Sequence, residues 1–188
     1  MTMTTIIGDD IYPSDPRLDP FFAELDRRGA VLYIHPTGCG ASSPMINGQG
    51  LEWVVGAPIE DSLAVLHLLK ADAPRRFPNI RWHIAHLGGD LAFLARRIED
   101  NFEDWHAFES SPMAALRRMW FDAANFHAPA LRMIMETFDP KRIMCGSDYP
   151  YFRDEKYTRA VEYIKESGLP PAQCADVLGN NAATLYRA

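Results

Sequence analysis

Cysteine is scarce, basic charge is in deficit and long apolar runs are missing from this 188-residue chain. Its three cysteines, Cys39, Cys145 and Cys174, are odd in number and widely spaced. That excludes a disulfide framework and a paired-cysteine zinc motif, and it fits a reducing compartment. With 19 basic against 25 acidic side chains the net charge is −6 and the pI near 5.5. No basic stripe is available to replace counterions, so neither nucleic acid nor an anionic membrane is expected as a partner. No window approaches the roughly 20 apolar residues of a membrane span. Met1-Thr2-Met3-Thr4-Thr5 lacks the basic-then-apolar order of a secretion signal, and the expected location is the cytoplasm. What remains is an ordinary globular balance, 47% apolar and 23% charged, enough for one buried core with residues 1–188 as a single domain.

Within that balance, short apolar runs alternate with helical periodicity. Strands are predicted over Val31–Ile34, Ile80–Ala85, Met119–Phe121 and Ile143–Cys145, with a strand stub at Thr5-Ile6-Ile7-Gly8. Between and after them the spacing predicts helices over Leu18–Arg28, Ile59–Lys70 with Asp61 or Ser62 as its cap, Leu91–Asn101, Met113–Arg118, a segment opened by Pro129, Glu155–Glu166 and Pro171–Leu178. Strands separated by helices imply an α/β fold with a parallel, helix-covered sheet. The Gly-, Ser-, Pro- and Asn-rich stretch from Thr37 to Gly50 is a loop of the length usually kept for function.

Three of the runs end in chemistry. Val31-Leu32-Tyr33-Ile34 closes on His35-Pro36, Ile80 to Ala85 closes on His86-Leu87-Gly88-Gly89, and Arg142 to Ser147 closes on Asp148-Tyr149-Pro150. Metal ligands and proton-transfer groups at the carboxyl ends of successive strands are how an α/β barrel builds a metal site. Each residue also has a structural use: a hydrogen-bonded histidine at a strand end, a turn aspartate before proline. The ordered set favours function. His83 lies an odd number of positions before His86, which sends the two side chains to opposite faces of a strand; His83 is expected to face the helices. His67 and His106 read as structural or solvated. Asp122 reads as a cap or a charge partner, and Gly88-Gly89 as an anion cradle or a tight turn. Asn125, His127 and Tyr149 are candidates for touching a substrate, and Trp53, Phe126 and Tyr151 suit an aromatic one.

The strings Tyr33-Ile34-His35-Pro36-Thr37, Arg76-Phe77-Pro78-Asn79-Ile80, His86-Leu87-Gly88-Gly89, Cys145-Gly146-Ser147-Asp148-Tyr149-Pro150 and Gly179-Asn180-Asn181-Ala182-Ala183 resemble the amidohydrolase-related family, in its decarboxylase branch. The resemblance implies a metal-dependent (β/α) barrel of the TIM type, here a partial barrel whose strands match the fifth to the eighth, followed by C-terminal helices. It implies that His35 is a metal ligand, that Asp148 binds the metal or activates its water, and that His86 is a ligand or a catalytic acid/base. Members carry a His-x-His or Glu-x-His pair after the first strand. The six histidines here are His35, His67, His83, His86, His106 and His127, and none is so paired.

On residue chemistry, His35 and Asp148 offer two ligands and His86 a third, enough for a catalytic divalent ion, zinc first and manganese second. The activity that the resemblance implies is non-oxidative decarboxylation of an aromatic or unsaturated carboxylic acid, with His86 and Asp148 as proton-handling groups. The same site could hydrolyse a lactone or ester-like bond. A reading of another class is a chain without turnover of its own that assembles with another polypeptide. An exposed half-barrel needs a partner, either further copies of itself or a complementing N-terminal half.

Overall fold

The computed structural model describes residues 1–8 and 10–186. At its centre is a five-stranded, wholly parallel sheet in which every strand lies beside the next in sequence. The chain runs β1 (Thr2–Thr4), α1 (Asp19–Arg27), β2 (Val31–His35), α2 (Pro44–Asn47), α3 (Ala57–Lys70), α4 (Ala73–Arg76) and β3 (Arg81–Ile84). It continues through α5 (Leu91–Trp105), α6 (Pro112–Leu116), β4 (Trp120–Asp122), α7 (Ala128–Thr137) and β5 (Ile143–Met144), and ends in α8 (Glu155–Lys165), α9 (Pro171–Ala175) and α10 (Asn181–Tyr186). Parallel neighbours need a crossover connection, and the helices supply it. This is the strand order of an arc of a β/α barrel.

The first strand lies earlier than expected, at Thr2–Thr4; Ile7 instead makes an isolated antiparallel bridge with Ile11. Helix α3 also starts earlier than its sequence cap suggests. Pro58, in its first turn, sets the start, so Asp61 and Ser62 fall inside the helix. The Thr37–Gly50 loop is folded around α2 and a tight turn at Gly40–Ser42.

The two faces of the sheet are built differently. Leu32, Ile34, Trp82, Ile84, Phe121 and Ile143 point into the main core, where they meet Val65 and Leu68 of α3, Leu91 of α5 and Leu131 and Ile134 of α7. Each such side chain contributes about 1.5–3 kcal/mol on burial. The opposite face carries Val31, Tyr33, His83, Trp120 and Met144, with Tyr33, His83 and Trp120 in register across three strands. On it Leu185 of α10 packs with Trp120 and Met144. Asn181 anchors that helix, its side-chain amide donating to the carbonyls of Pro140 and Ile143.

His83 is therefore on the face away from the main helical layer, contrary to the parity argument. Strand β3 ends at Ile84, and the backbone turns through left-handed conformations at His86 (φ 51°) and Leu87 (φ 58°). Period-2 alternation stops where the strand stops.

Candidate metal centre

The residues that close β2, β3 and β5 converge. One donor atom each from His35, His86 and Asp148 lies within 4.8 Å of the others. Asp148 Oδ1 is 3.4 Å from His35 Nε2 and 3.5 Å from His86 Nε2, and the two imidazole centroids are 5.0 Å apart. Two of the three hold backbone conformations that L-residues avoid, His86 at φ 51° and Asp148 at φ 52°. Such strain costs of order 1–3 kcal/mol per residue and persists where the surroundings over-determine it. Here the His86 N–H donates to Asp122 Oδ1, and Tyr151 N–H donates to the Asp148 carbonyl.

Each histidine presents the same nitrogen to the centre. His35 Nδ1 is 3.0 Å from the Pro36 carbonyl, which can only accept, so Nδ1 carries the hydrogen and Nε2 faces Asp148. His86 Nδ1 is 2.9 Å from Oδ2 of Asp61, a fully buried side chain on α3. A carboxylate behind a histidine fixes its ring and raises its basicity, the usual outer support of a metal ligand. The sequence offers Asp61 or Ser62 as a helix cap, and neither fills that place. The available signal was its position: Asp61, Val65 and Leu68 recur at helical spacing, which puts a carboxylate on an apolar stripe.

Charge within the cluster is strongly coupled. Burial works against the His86 cation, yet hydrogen bonds to Asp148 and Asp61 outweigh it and lift its pKa to about 10. The Asp148 hydrogen bond likewise raises His35. Asp148 falls to about 2 because its two histidine partners outweigh its own desolvation. Burial pushes Asp61 up to about 7. The donors present, imidazole nitrogen and carboxylate oxygen, fit a divalent ion of the zinc or manganese kind. His35 would have to be neutral to ligate one through Nε2.

The cluster lies in the wall of a cavity of about 600 Å³, lined also by Trp53, Asn125, Phe126, Tyr149, Tyr151 and Arg153. Asn125 and Tyr149 thus line the same cavity as the three donors. His127 immediately precedes α7 and is not among the cavity-lining residues. The Gly88-Gly89 cradle does not form, because Gly88 N–H donates to the Ala85 carbonyl and Gly89 N–H to that of His86. Asp122 serves the turn below the site, accepting from Tyr33 Oη and from the N–H groups of His86 and Ala124. Its carboxylate is so closely packed that a Cβ on Gly146 would lie 2.8 Å from it.

A parallel α/β arc thus carries a His-His-Asp cluster, a candidate metal site, at the carboxyl ends of its strands. The chain belongs to the amidohydrolase family, whose model matches residues 7–188. It is 30% identical over 174 residues to a 2-amino-3-carboxymuconate-6-semialdehyde decarboxylase of Dictyostelium discoideum, a match covering 89% of this chain and 48% of that protein. Among solved structures it superposes on the 5-carboxyvanillate decarboxylase of Sphingomonas paucimobilis with a TM-score of 0.86 and 24% identity, covering 100% of this chain and 58% of that one. It also matches a dihydroxybenzoic acid decarboxylase of a Polaromonas species, solved with bound manganese and an inhibitor, at a TM-score of 0.84 and 15% identity over 96% and 57% of the two chains. The chain spans about half the length of the curated relatives it matches. No described helix is long and apolar enough to cross a membrane.

Proposed function

We propose that this chain carries the proton-transfer and metal-binding side of a non-oxidative decarboxylase acting on an aromatic or unsaturated carboxylic acid. The observation that carries this is the convergence of His35, His86 and Asp148 in the wall of an aromatic-lined cavity. The relatives' names, decarboxylases of such acids, point the same way. His35 and Asp148 hold a divalent ion, with zinc as our first choice from the donor set and manganese as the second. When bound, the ion polarises the acid and a neighbouring hydroxyl or carbonyl oxygen.

The proton chemistry belongs to the side chains. As the bond between the ring carbon and the carboxyl group breaks, its electron pair stays on carbon and carbon dioxide leaves. His86 delivers the replacing proton from Nε2, while Asp61 holds Nδ1 and stabilises the charge on the ring beforehand. Asp148 Oδ1 lies 3.4 Å from His35 Nε2 and 3.5 Å from His86 Nε2, so both nitrogens face one centre. Asn125 and Tyr149 contact the substrate from the cavity wall. The cavity is open enough for a single aromatic ring, and its polar groups are few and grouped.

Assembly is part of this reading. Among the described residues β1 pairs only with β2 and β5 only with β4, so both outer strands present an edge without a described partner. Such edges favour covering by another polypeptide, a further copy or a complementing N-terminal half. The test is release of carbon dioxide from hydroxybenzoic acids in the presence of manganese or zinc, with light scattering on the same sample. Metal-dependent turnover that disappears in His86→Asn supports the proposal. A metal-loaded assembly inert toward every such acid, or one that opens lactones instead, contradicts it.

A further inference from the structure

Of the described residues lining the 600 Å³ cavity, Arg153 alone carries a permanent positive charge. Its Nε donates to the Pro150 carbonyl at 2.7 Å, which orients the guanidinium without neutralising it. Among the described residues it faces no carboxylate at ion-pair distance. The neighbouring Arg159 is differently placed. Its guanidinium stacks over the rings of Phe126 and Phe152, 5.3 and 5.9 Å from their centroids, and so buttresses the aromatic wall from behind.

Apart from the donor cluster and Asn125, the rest of the wall is largely aromatic and aliphatic. Trp53 and Tyr151, from the loops after β2 and β5, meet with ring centroids 5.5 Å apart. Trp53 is seated on Gly38, where the backbone has φ 73° and an added Cβ would lie 2.3 Å from the indole. An aromatic ring entering here finds stacking surface, the donor cluster and one guanidinium along the same cavity wall. The cluster can engage one carboxylate of a bound acid. A second anionic group has a single cationic side chain to meet.

Resting on the decarboxylase reading, we propose that Arg153 is a specificity-determining residue. It selects aromatic acids that carry a second carboxylate, away from the one engaged at the His35, His86 and Asp148 cluster. Guanidinium pairs carboxylates bidentately, and lysine does not reproduce this.

The experiment is a binding titration of the assembled, manganese-loaded protein with salicylate and with hydroxyisophthalate, which is salicylate bearing a second carboxylate para to the hydroxyl. Both are titrated into the wild type, Arg153→Gln and Arg153→Lys by calorimetry. Arg153 is exposed, so its replacement leaves the core intact; equal melting temperatures verify this. The proposal expects the wild type to prefer the dicarboxylate. It expects Arg153→Gln to bind that acid roughly tenfold more weakly and salicylate within about twofold of the wild type, with Arg153→Lys in between. A wild type that binds the two acids alike, or binds neither, overturns it. So does an Arg153→Gln variant that weakens both acids equally or neither. Because the readout is binding, discrimination without carbon dioxide release sinks only the decarboxylase reading, and turnover without discrimination sinks only this one.

Discussion

His83 and His86 sit three positions apart, each beside an aspartate and each largely buried, with side chains 9% and 14% exposed. Burial and charge alone do not separate them. His83 is enclosed: its ring lies 4.4 Å from that of Tyr33, its Nδ1 is 2.8 Å from Tyr186 Oη, and Asp122 Oδ2 is 3.5 Å from its Nε2. His86 faces a cavity and two further donors. The difference comes from the backbone, because β3 delivers His83 in register while the left-handed turn after it re-aims His86. One histidine ties the C-terminal helix to the sheet; the other is available to a ligand.

The comparison breaks most visibly at Asp122, which serves both regions. Asp122→Ala strips partners from Tyr33, His83 and two backbone N–H groups at once. The expected loss is about 3–5 kcal/mol, read by urea unfolding. A loss under about 1 kcal/mol would mean that the network below the site is not structural.

Asp61→Asn sharpens the other side. The amide cannot stabilise charge on His86 as a carboxylate does, so carbon dioxide release should fall by about 10–100-fold with the fold and the manganese affinity retained. An unchanged rate would remove Asp61 from the proton transfer.

A smaller effect distinguishes the two adjacent acids of α3. Glu60 Oε2 accepts from the hydroxyls of Thr5 and Thr37 and from the Thr37 N–H, pinning the loop after β2. Burial works against its charge, yet these bonds hold its pKa below the ordinary 4.5. A carboxyl depressed by folding stabilises above its ordinary value and loses that contribution as acid protonates it. Glu60→Gln should therefore lower the melting temperature near about pH 7 and shrink the further drop on going to about pH 4, with metal affinity unchanged. A full acid drop in the variant would assign that limb to other groups.

What the sequence disclosed follows the same division. His35, His86 and Asp148 were legible because each ends an apolar run at a turn, and the structure brings those three together. The parallel α/β order was legible for the same reason. Local signals failed where tertiary contacts decide. The three residues of β1 carry no pattern of their own, and α10 begins at Asn181, which reads as loop until its amide is seen holding β5. Asp61 was hidden by the cap-like string Glu60-Asp61-Ser62, and the face of His83 by a strand that ends one turn too soon for alternation to reach His86.

The most direct test of the central claim is a calorimetric titration of the metal-free protein with manganese and with zinc, run in parallel on the wild type, His35→Asn and His83→Asn. The wild type and His83→Asn should take up about one ion per chain, and His35→Asn should bind at least about a hundredfold more weakly. A His35→Asn variant that binds as tightly as the wild type, or a wild type that takes up no ion, would contradict it.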